Sequence, residues 1–448
     1  MRPESIDTIA AIATPPGAGG IGIIRVSGPL VRSLFTPLLG GPISARRAEY
    51  RPFLESSETP LDHGIALFFE GPLSFTGEDT LELQGHGSPV ILDLLQKRLV
   101  ELGCRLARPG EFSERAFLNG KIDLTQAEAI ADLINSSSES AARSAQRALQ
   151  GTFSEAIHRL VEALITLRQY VEAAIDFTDE DIDFMAQGAI AERIASLNAE
   201  LEQLIDSAQE GVLLQEGASL VLIGRPNSGK SSLLNRLTGR DSAIVTPIAG
   251  TTRDTLRECI HLDGLPLHLI DTAGIRDFTE DPVEQEGIRR ARREVETADL
   301  ILLMIDDQDP GDQEGLLASL TGQQAVLTIR NKIDLTGQKA ARKTTTDGME
   351  VFISLKTGEG LELLRETLKE MIGFQGTSAS SFTARRRHLE AMASAQNALQ
   401  RSLDHLQEVA LELVAEDLKA AQTALDEITG RFTSDDLLGR IFSSFCIG

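Results

Sequence analysis

The stretch Gly224-Arg225-Pro226-Asn227-Ser228-Gly229-Lys230-Ser231 constrains this chain more than any other, because it follows the apolar run from Ser219 to Ile223 and precedes a segment with helical spacing. A Gly-rich turn in that setting points successive backbone N–H groups and a helix N-terminus at an anion. Lys230 is spaced to bridge the β- and γ-phosphates of a nucleotide, and the Ser231 hydroxyl to ligate Mg²⁺. Strand, turn and helix in that order also require an α/β domain. Further apolar runs at Leu267 to Ile270, Leu300 to Ile305, Ala325 to Ile329 and Val351 to Ile353 alternate with helical stretches, as in a mostly parallel sheet.

Four later motifs lie in the same region, three of them after apolar strands. Gly250-Thr251-Thr252-Arg253-Asp254 supplies a threonine, Thr252, to complete the Mg²⁺ shell, and Asp271-Thr272-Ala273-Gly274 follows a strand on the metal side. Asn331-Lys332-Ile333-Asp334 places a carboxylate where it accepts from the N1–H and exocyclic amine of guanine. Adenine lacks those donors, and a buried carboxylate left unpaired discriminates by about 10⁴-fold in favourable cases, so GTP is expected over ATP. Ser354-Leu355-Lys356 is expected to back up the guanine carbonyl. After Gly274 stands Ile275, an apolar side chain that cannot orient water, and carboxylates follow at Asp277, Glu280, Asp281, Glu284 and Glu286. The side-chain oxygen of Asn227 either helps hold a monovalent cation beside the phosphates or is a turn residue.

The remainder is too long for one core: 448 residues suggest two to four domains. The first 120 residues mix short apolar strands (Ile21 to Val26, Gly64 to Phe69, Thr80 to Gln84) with a helical stretch near Val90 to Leu102, an α+β pattern. From Lys121 to Glu216, and again from Phe382 to the end, the sequence turns to Ala, Leu, Glu and Gln at helical spacing. The expected layout is an N-terminal domain over 1–120, a discontinuous helical domain over 121–216 and 376–448, and an inserted Ras-like P-loop G domain over 217–375. Ser-rich patches lie at Ser136 to Ser140 and at Gly376 to Ser381, the second reading as a linker. A formal charge of −24 argues against gripping nucleic acid over the whole surface. The clearest basic run, Arg385-Arg386-Arg387-His388, reads equally as an RNA contact or as the basic start of a helix. Cys104, Cys259 and Cys446 show neither disulfide-framework nor zinc spacing, and no apolar run is long enough to span a bilayer, so a cytoplasmic protein is expected.

These motifs, together with Asp7-Thr8-Ile9-Ala10 to Thr14-Pro15-Pro16-Gly17, Ser74-Phe75-Thr76-Gly77-Glu78-Asp79, Arg108-Pro109-Gly110-Glu111-Phe112-Ser113 and the ending Phe445-Cys446-Ile447-Gly448, resemble the tRNA modification GTPase family over the full length. The family's ending carries one further Lys after this Gly. The resemblance implies a homodimer that hydrolyses GTP with Mg²⁺ and K⁺, and binds a 5,10-methylene- or 5-formyl-tetrahydrofolate. It further implies a heterotetramer with an FAD-containing partner, MnmG (GidA), to build the 5-carboxymethylaminomethyl or aminomethyl group on the wobble uridine of certain tRNAs. By match to the family, Arg25, Glu82 and Lys121 contact the folate, Asn227, Thr246, Ile248 and Thr251 surround K⁺, Glu284 positions the water, and Cys446 is needed for the modification. The match also extends the nucleotide contacts to Ser232 and to Thr246-Pro247-Ile248-Ala249. The competing reading is a GTPase switch in ribosome assembly with the flanks as binding modules.

Overall fold

The computed structural model describes residues 7–56, 59–176, 184–241, 257–271, 298–309, 311, 325–345, 348–374, 382–431, 435–443 and 445. By packing, the chain divides into two compact units: Met1–Ala131 with Leu149–Gln169 and Leu418–Gly448, and Asp132–Ala148 with Tyr170–Asp417. The helical stretches expected to form one domain therefore contribute to both units.

In the first unit, β1 (Ile9–Ile12), β2 (Gly19–Ser27), β3 (Glu49–Leu54), β4 (Pro60–Phe69), β5 (Thr80–Gly87) and β6 (Arg105–Leu106) form one sheet in the order β3-β4-β5-β2-β1-β6. All neighbours are antiparallel except β1 and β6. The alternation of β5 explains its two faces: Leu81 and Leu83 point into the core with Ile24 and Val26, and Glu82 and Gln84 point the other way. Helices Val31–Leu39 and Pro89–Glu101 cover the apolar face with Leu34, Leu38, Leu95 and Leu99, all but fully buried. Each such leucine contributes about 1.5–3 kcal/mol of transfer free energy. A second cluster in this unit joins Leu124 and Ala127 to Phe442 and Phe445 near the chain end.

The second unit holds β7 (Ala218–Gly224), β8 (Arg257–Leu262), β9 (Leu265–Asp271), β10 (Leu300–Asp306), β11 (Ala325–Asn331), β12 (Ala341–Thr345) and β13 (Gly348–Phe352), in the order β12-β13-β11-β10-β7-β9-β8. The five inner strands are parallel, and the edges β8 and β12 are antiparallel to their neighbours. Strand β10 reads as an unbroken apolar run because both of its faces are covered; Leu300 to Ile305 are all buried. Strand β7 lies between β9 and β10, so the order reverses there and the turn after β7 opens at a topological switch point, where α/β sheets bind ligands. Helices Phe184–Glu216 and Arg386–Gln407 pack against one another in the same unit.

Candidate nucleotide site

The loop after β7 turns sharply into helix Lys230–Asp241 through two left-handed residues, Asn227 (φ 66°) and Gly229 (φ 111°). At Gly229 the requirement is double, since a Cβ there would lie 2.3 Å from Asn331 Nδ2 as well as strain the backbone. Lys230 Nζ donates to the carbonyl oxygens of Gly224 (2.5 Å) and Arg225 (3.0 Å), so the ammonium lies over the loop. Ser231 and Ser232 begin the helix with exposed side chains, and the hydroxyl of Ser228 is buried without a hydrogen-bond partner. An orphaned hydroxyl and a helix N-terminus behind a glycine turn fit an incoming phosphate chain and its Mg²⁺.

Asn331 joins this loop to the last one. Its side chain is 3% exposed, Nδ2 donates to Ser228 O (2.9 Å), and Oδ1 accepts from Leu355 N–H (3.1 Å). Lys332, in the left-handed region at φ 71°, turns its ammonium onto Asp306 Oδ2 at 2.6 Å, and Ile333 is fully buried. Asp306 works against its own burial, but the Lys332 ammonium and the Gln308 N–H outweigh that and hold its carboxyl below the usual range. Of the four residues, Asp334 alone presents an exposed side chain, and the Ser354 hydroxyl donates to its Oδ1 at 2.7 Å. Ser354 also accepts from Thr357 N–H (3.2 Å), while Arg236 donates to Leu355 O (3.1 Å) and Lys356 O (3.2 Å). Phosphate loop and base-side loops thus form one connected rim. Arg236 and Asp306 were not singled out from the sequence; neither carries a motif, and only the folded contacts reveal them.

Asp271 ends β9, as expected of a metal-side motif. Thr246, Pro247, Ile248, Ala249, Gly250, Thr251, Thr252, Thr272, Ala273, Gly274, Glu284 and Cys446 lie outside the described residues.

In the first unit, facing positions of β2 and β5 bring Arg25 and Glu82 into an ion pair at 3.0 Å. The Arg25 guanidinium stands 5.8 Å from the Phe75 ring centre and 5.7 Å from that of Phe112, two aromatics from the quoted motifs that received no role there. Lys121 lies along Gly77 of the Ser74–Asp79 loop and donates to Pro72 O at 2.9 Å. A carboxylate, a guanidinium and a partly exposed ring on neighbouring elements suit a flat, hydrogen-bonding heterocycle. The basic run resolves as a helix start: Arg385 precedes helix Arg386–Gln407, its guanidinium is 2.8 Å from Asp132 Oδ1, and His388 is buried with Nδ1 3.0 Å from Arg385 N. Among the described residues no helix is long and apolar enough to cross a membrane and no cluster of side chains could hold a metal ion by itself.

Sheet order, glycine turn and an exposed aspartate beside the base-side loop define a P-loop nucleotide-binding protein of the guanine-reading class. Residues 8–121 match the family model "GTP-binding protein TrmE N-terminus", and residues 124–446 match "MnmE helical domain". The chain is 56% identical to the tRNA modification GTPase MnmE of Ectopseudomonas mendocina over 99% of each, and 55% identical to that of Methylococcus capsulatus over 100% of each. The same enzyme of Sodalis glossinidius is 56% identical over 99% of each. A solved G domain, from the T. maritima FeoB iron transporter, aligns over 34% of this chain at 27% identity with a TM-score of 0.27, too low to add to what the sheet order shows. The chain belongs to the tRNA modification GTPase MnmE family.

Proposed function

We propose that this protein hydrolyses GTP to drive modification of the wobble uridine of certain tRNAs, together with a flavin-containing partner, MnmG (GidA). The observation that carries the nucleotide half is Asn331, which ties the phosphate loop to the loop that steadies Asp334. In this reading the N–H groups of the Asn227–Ser231 turn and the Lys230 ammonium hold the phosphates, and Asp334 reads the base with Ser354, Leu355 and Lys356 behind it. Ser231 and Thr252 would hold Mg²⁺, which would supply positive charge to the phosphate chain. Asn227, Thr246, Ile248 and Thr251 would hold K⁺, which would supply the positive charge that an arginine finger brings to other GTPases. Glu284 orients the attacking water, a task closed to Ile275.

In the same reading, residues 1–120 bind a 5,10-methylene- or 5-formyl-tetrahydrofolate through Arg25, Glu82 and Lys121, and join two copies into a homodimer. Residues 121–216 and 376–448 form the helical domain, 217–375 the G domain, and Cys446 acts near the target base. The family membership and the paired Arg25 and Glu82 support these assignments. The setting is the cytoplasm.

The test is reconstitution of the chain with the flavin partner, GTP, Mg²⁺, K⁺, a one-carbon folate, glycine or ammonium as the nitrogen source and unmodified tRNA, followed by nucleoside analysis. A 5-carboxymethylaminomethyl or aminomethyl uridine that requires every component is the expected product. Unmodified tRNA from a mixture that hydrolyses GTP would refute the tRNA half and leave a GTPase switch, whose deletion should then disturb ribosome profiles.

A further inference from the structure

The serine-rich turn at 136–140 meets the G-domain sheet at one defined place. Strands β8 and β9 form a hairpin whose turn, Asp263 (φ 52°) and Gly264 (φ 88°), takes two contacts from that serine turn, with a third on the adjoining end of β8. Ser138 Oγ and Ser140 Oγ both donate to Gly264 O, at 2.9 and 3.0 Å, and Ser137 Oγ is 3.1 Å from His261 Nε2. The position must be glycine, because a Cβ there would stand 2.3 Å from Ser140 Oγ. On its other side the tip is pinned by Lys369 Nζ to Asp263 Oδ2 at 2.6 Å.

The two arms of this hairpin are rooted in both nucleotide-sensing motifs. Strand β8 starts at Arg257, just after the Gly250–Asp254 motif, and β9 ends at Asp271, which opens the Asp271–Gly274 motif. Because β8 lies at the sheet edge and pairs with β9 alone, while β9 is also bonded to β7, a displacement of the β8 root can slide that strand against β9 and reach the tip. The serine turn has room to respond: a cavity of about 60 Å³ beside it is lined by Asp132, Asn135, Ser136, Ser137, Gln215 and Thr383. That volume exceeds what one water needs. From there the connection continues, since Asp132 accepts from both Gln215 Nε2 and Arg385 NH2, at the end of helix Phe184–Glu216 and the start of helix Arg386–Gln407.

We propose that Ser138 and Ser140, gripping the Gly264 carbonyl, are the positioning residues that couple the nucleotide state of the G domain to the two long helices of the same unit. This rests on the nucleotide reading above, though not on the tRNA or folate reading. Differential contact in two nucleotide states is what such coupling requires, and the hairpin is the only described element that joins both motifs to this turn.

The experiment is amide hydrogen exchange over residues 132–148 of the full chain, with GDP and with a non-hydrolysable GTP analogue, alongside titration of a fluorescent GTP. The variant Ser138→Asp/Ser140→Ala removes both hydroxyl donors and keeps an N-cap for the following helix, where Ala141 N–H now meets Ser138 Oγ at 3.2 Å. Ser136→Ala serves as control, because its hydroxyl donates to Leu133 O of the preceding helix and not to the hairpin. The expected result is a nucleotide-dependent exchange difference in the wild type and in Ser136→Ala, absent from the double variant, with nucleotide affinity unchanged in all three. Equal exchange in the two wild-type states, a difference that survives in the double variant, or loss of GTP affinity in that variant would each overturn the coupling role. A wild-type chain that binds no GTP would instead overturn the nucleotide reading and the coupling with it.

Discussion

Replacing Asn331 with alanine tests whether the phosphate loop and the base-side loop act as one site. The change removes a donor to Ser228 O and an acceptor for Leu355 N–H, both at buried positions. Losing these two neutral hydrogen bonds, with the stranded buried carbonyl and N–H included, costs about 1–2 kcal/mol each, or about 2–4 kcal/mol in all. If that free energy is what holds the two loops in register for the ligand, GTP affinity should fall about 30- to 1,000-fold, at about 1.4 kcal/mol per decade. Selectivity for guanine over adenine should survive, because Asp334 keeps its hydrogen bond from Ser354. The assay is titration of a fluorescent GTP with competition by ATP, and thermal unfolding in parallel to show that the sheet remains intact. Asn331→Asp keeps the acceptor for Leu355 but turns an oxygen toward the Ser228 carbonyl, so it should lose at least as much. A GTP affinity within about threefold of wild type, less than the worth of one hydrogen bond, would refute the idea that Asn331 assembles the site.

Hydrolysis in KCl should be markedly faster than in NaCl, and equal rates would remove the cation role of Asn227. Glu284→Ala should bind GTP and turn it over slowly; wild-type turnover would show that another carboxylate orients the water. Asp334→Asn should weaken GTP binding selectively, and an unaltered affinity would refute the base-reading assignment. Acid should weaken the first unit through its carboxylates. Asp7 is lowered to about 2, chiefly by its hydrogen bond from Arg105, and Glu111 is lowered because Arg105 and the Arg108 N–H outweigh its burial. Folded values below the ordinary 3.8 and 4.5 mean that this stabilisation is present above those values and is lost as pH falls through them toward 2. Thermal melts across that window should show Arg105→Ala less acid-sensitive than wild type, and parallel curves for the two would contradict the pairing.

The strands legible in the sequence were those buried on both faces or alternating cleanly, such as Leu300–Asp306 and Thr80–Gly87. Edge strands escaped: Arg257–Leu262 and Ala341–Thr345 are rich in polar residues, and Glu49–Leu54 carries Pro52, which a ladder tolerates only at an edge. Helix Val31–Leu39 was hidden in the same way by its internal Pro37. Helical spacing revealed the long helices, though periodicity marks an apolar face without naming what covers it. At the site the loop geometry was legible, since glycine and lysine at fixed spacing have few structural meanings. The linking role of Asn331 was not: a buried side chain with both ends bonded to backbone looks, in one dimension, the same as one facing a ligand.

The same distinction bears on how an acidic chain holds a triphosphate and serves an RNA. A phosphate loop draws its positive potential from aligned backbone N–H groups, a helix N-terminus and one ammonium, so it needs no basic surface and is compatible with a formal charge of −24. An RNA backbone, by contrast, requires clustered side-chain cations. Among the described residues the basic run Arg385 to His388 is largely committed inward, with Arg385 on Asp132, His388 buried and Arg386 exposed, while Arg289-Arg290-Ala291-Arg292-Arg293 lies outside the described residues. In the proposed complex that cationic surface is therefore local on this chain or shared with the flavin partner. This chain would contribute nucleotide-driven movement and the contacts nearest the modified base.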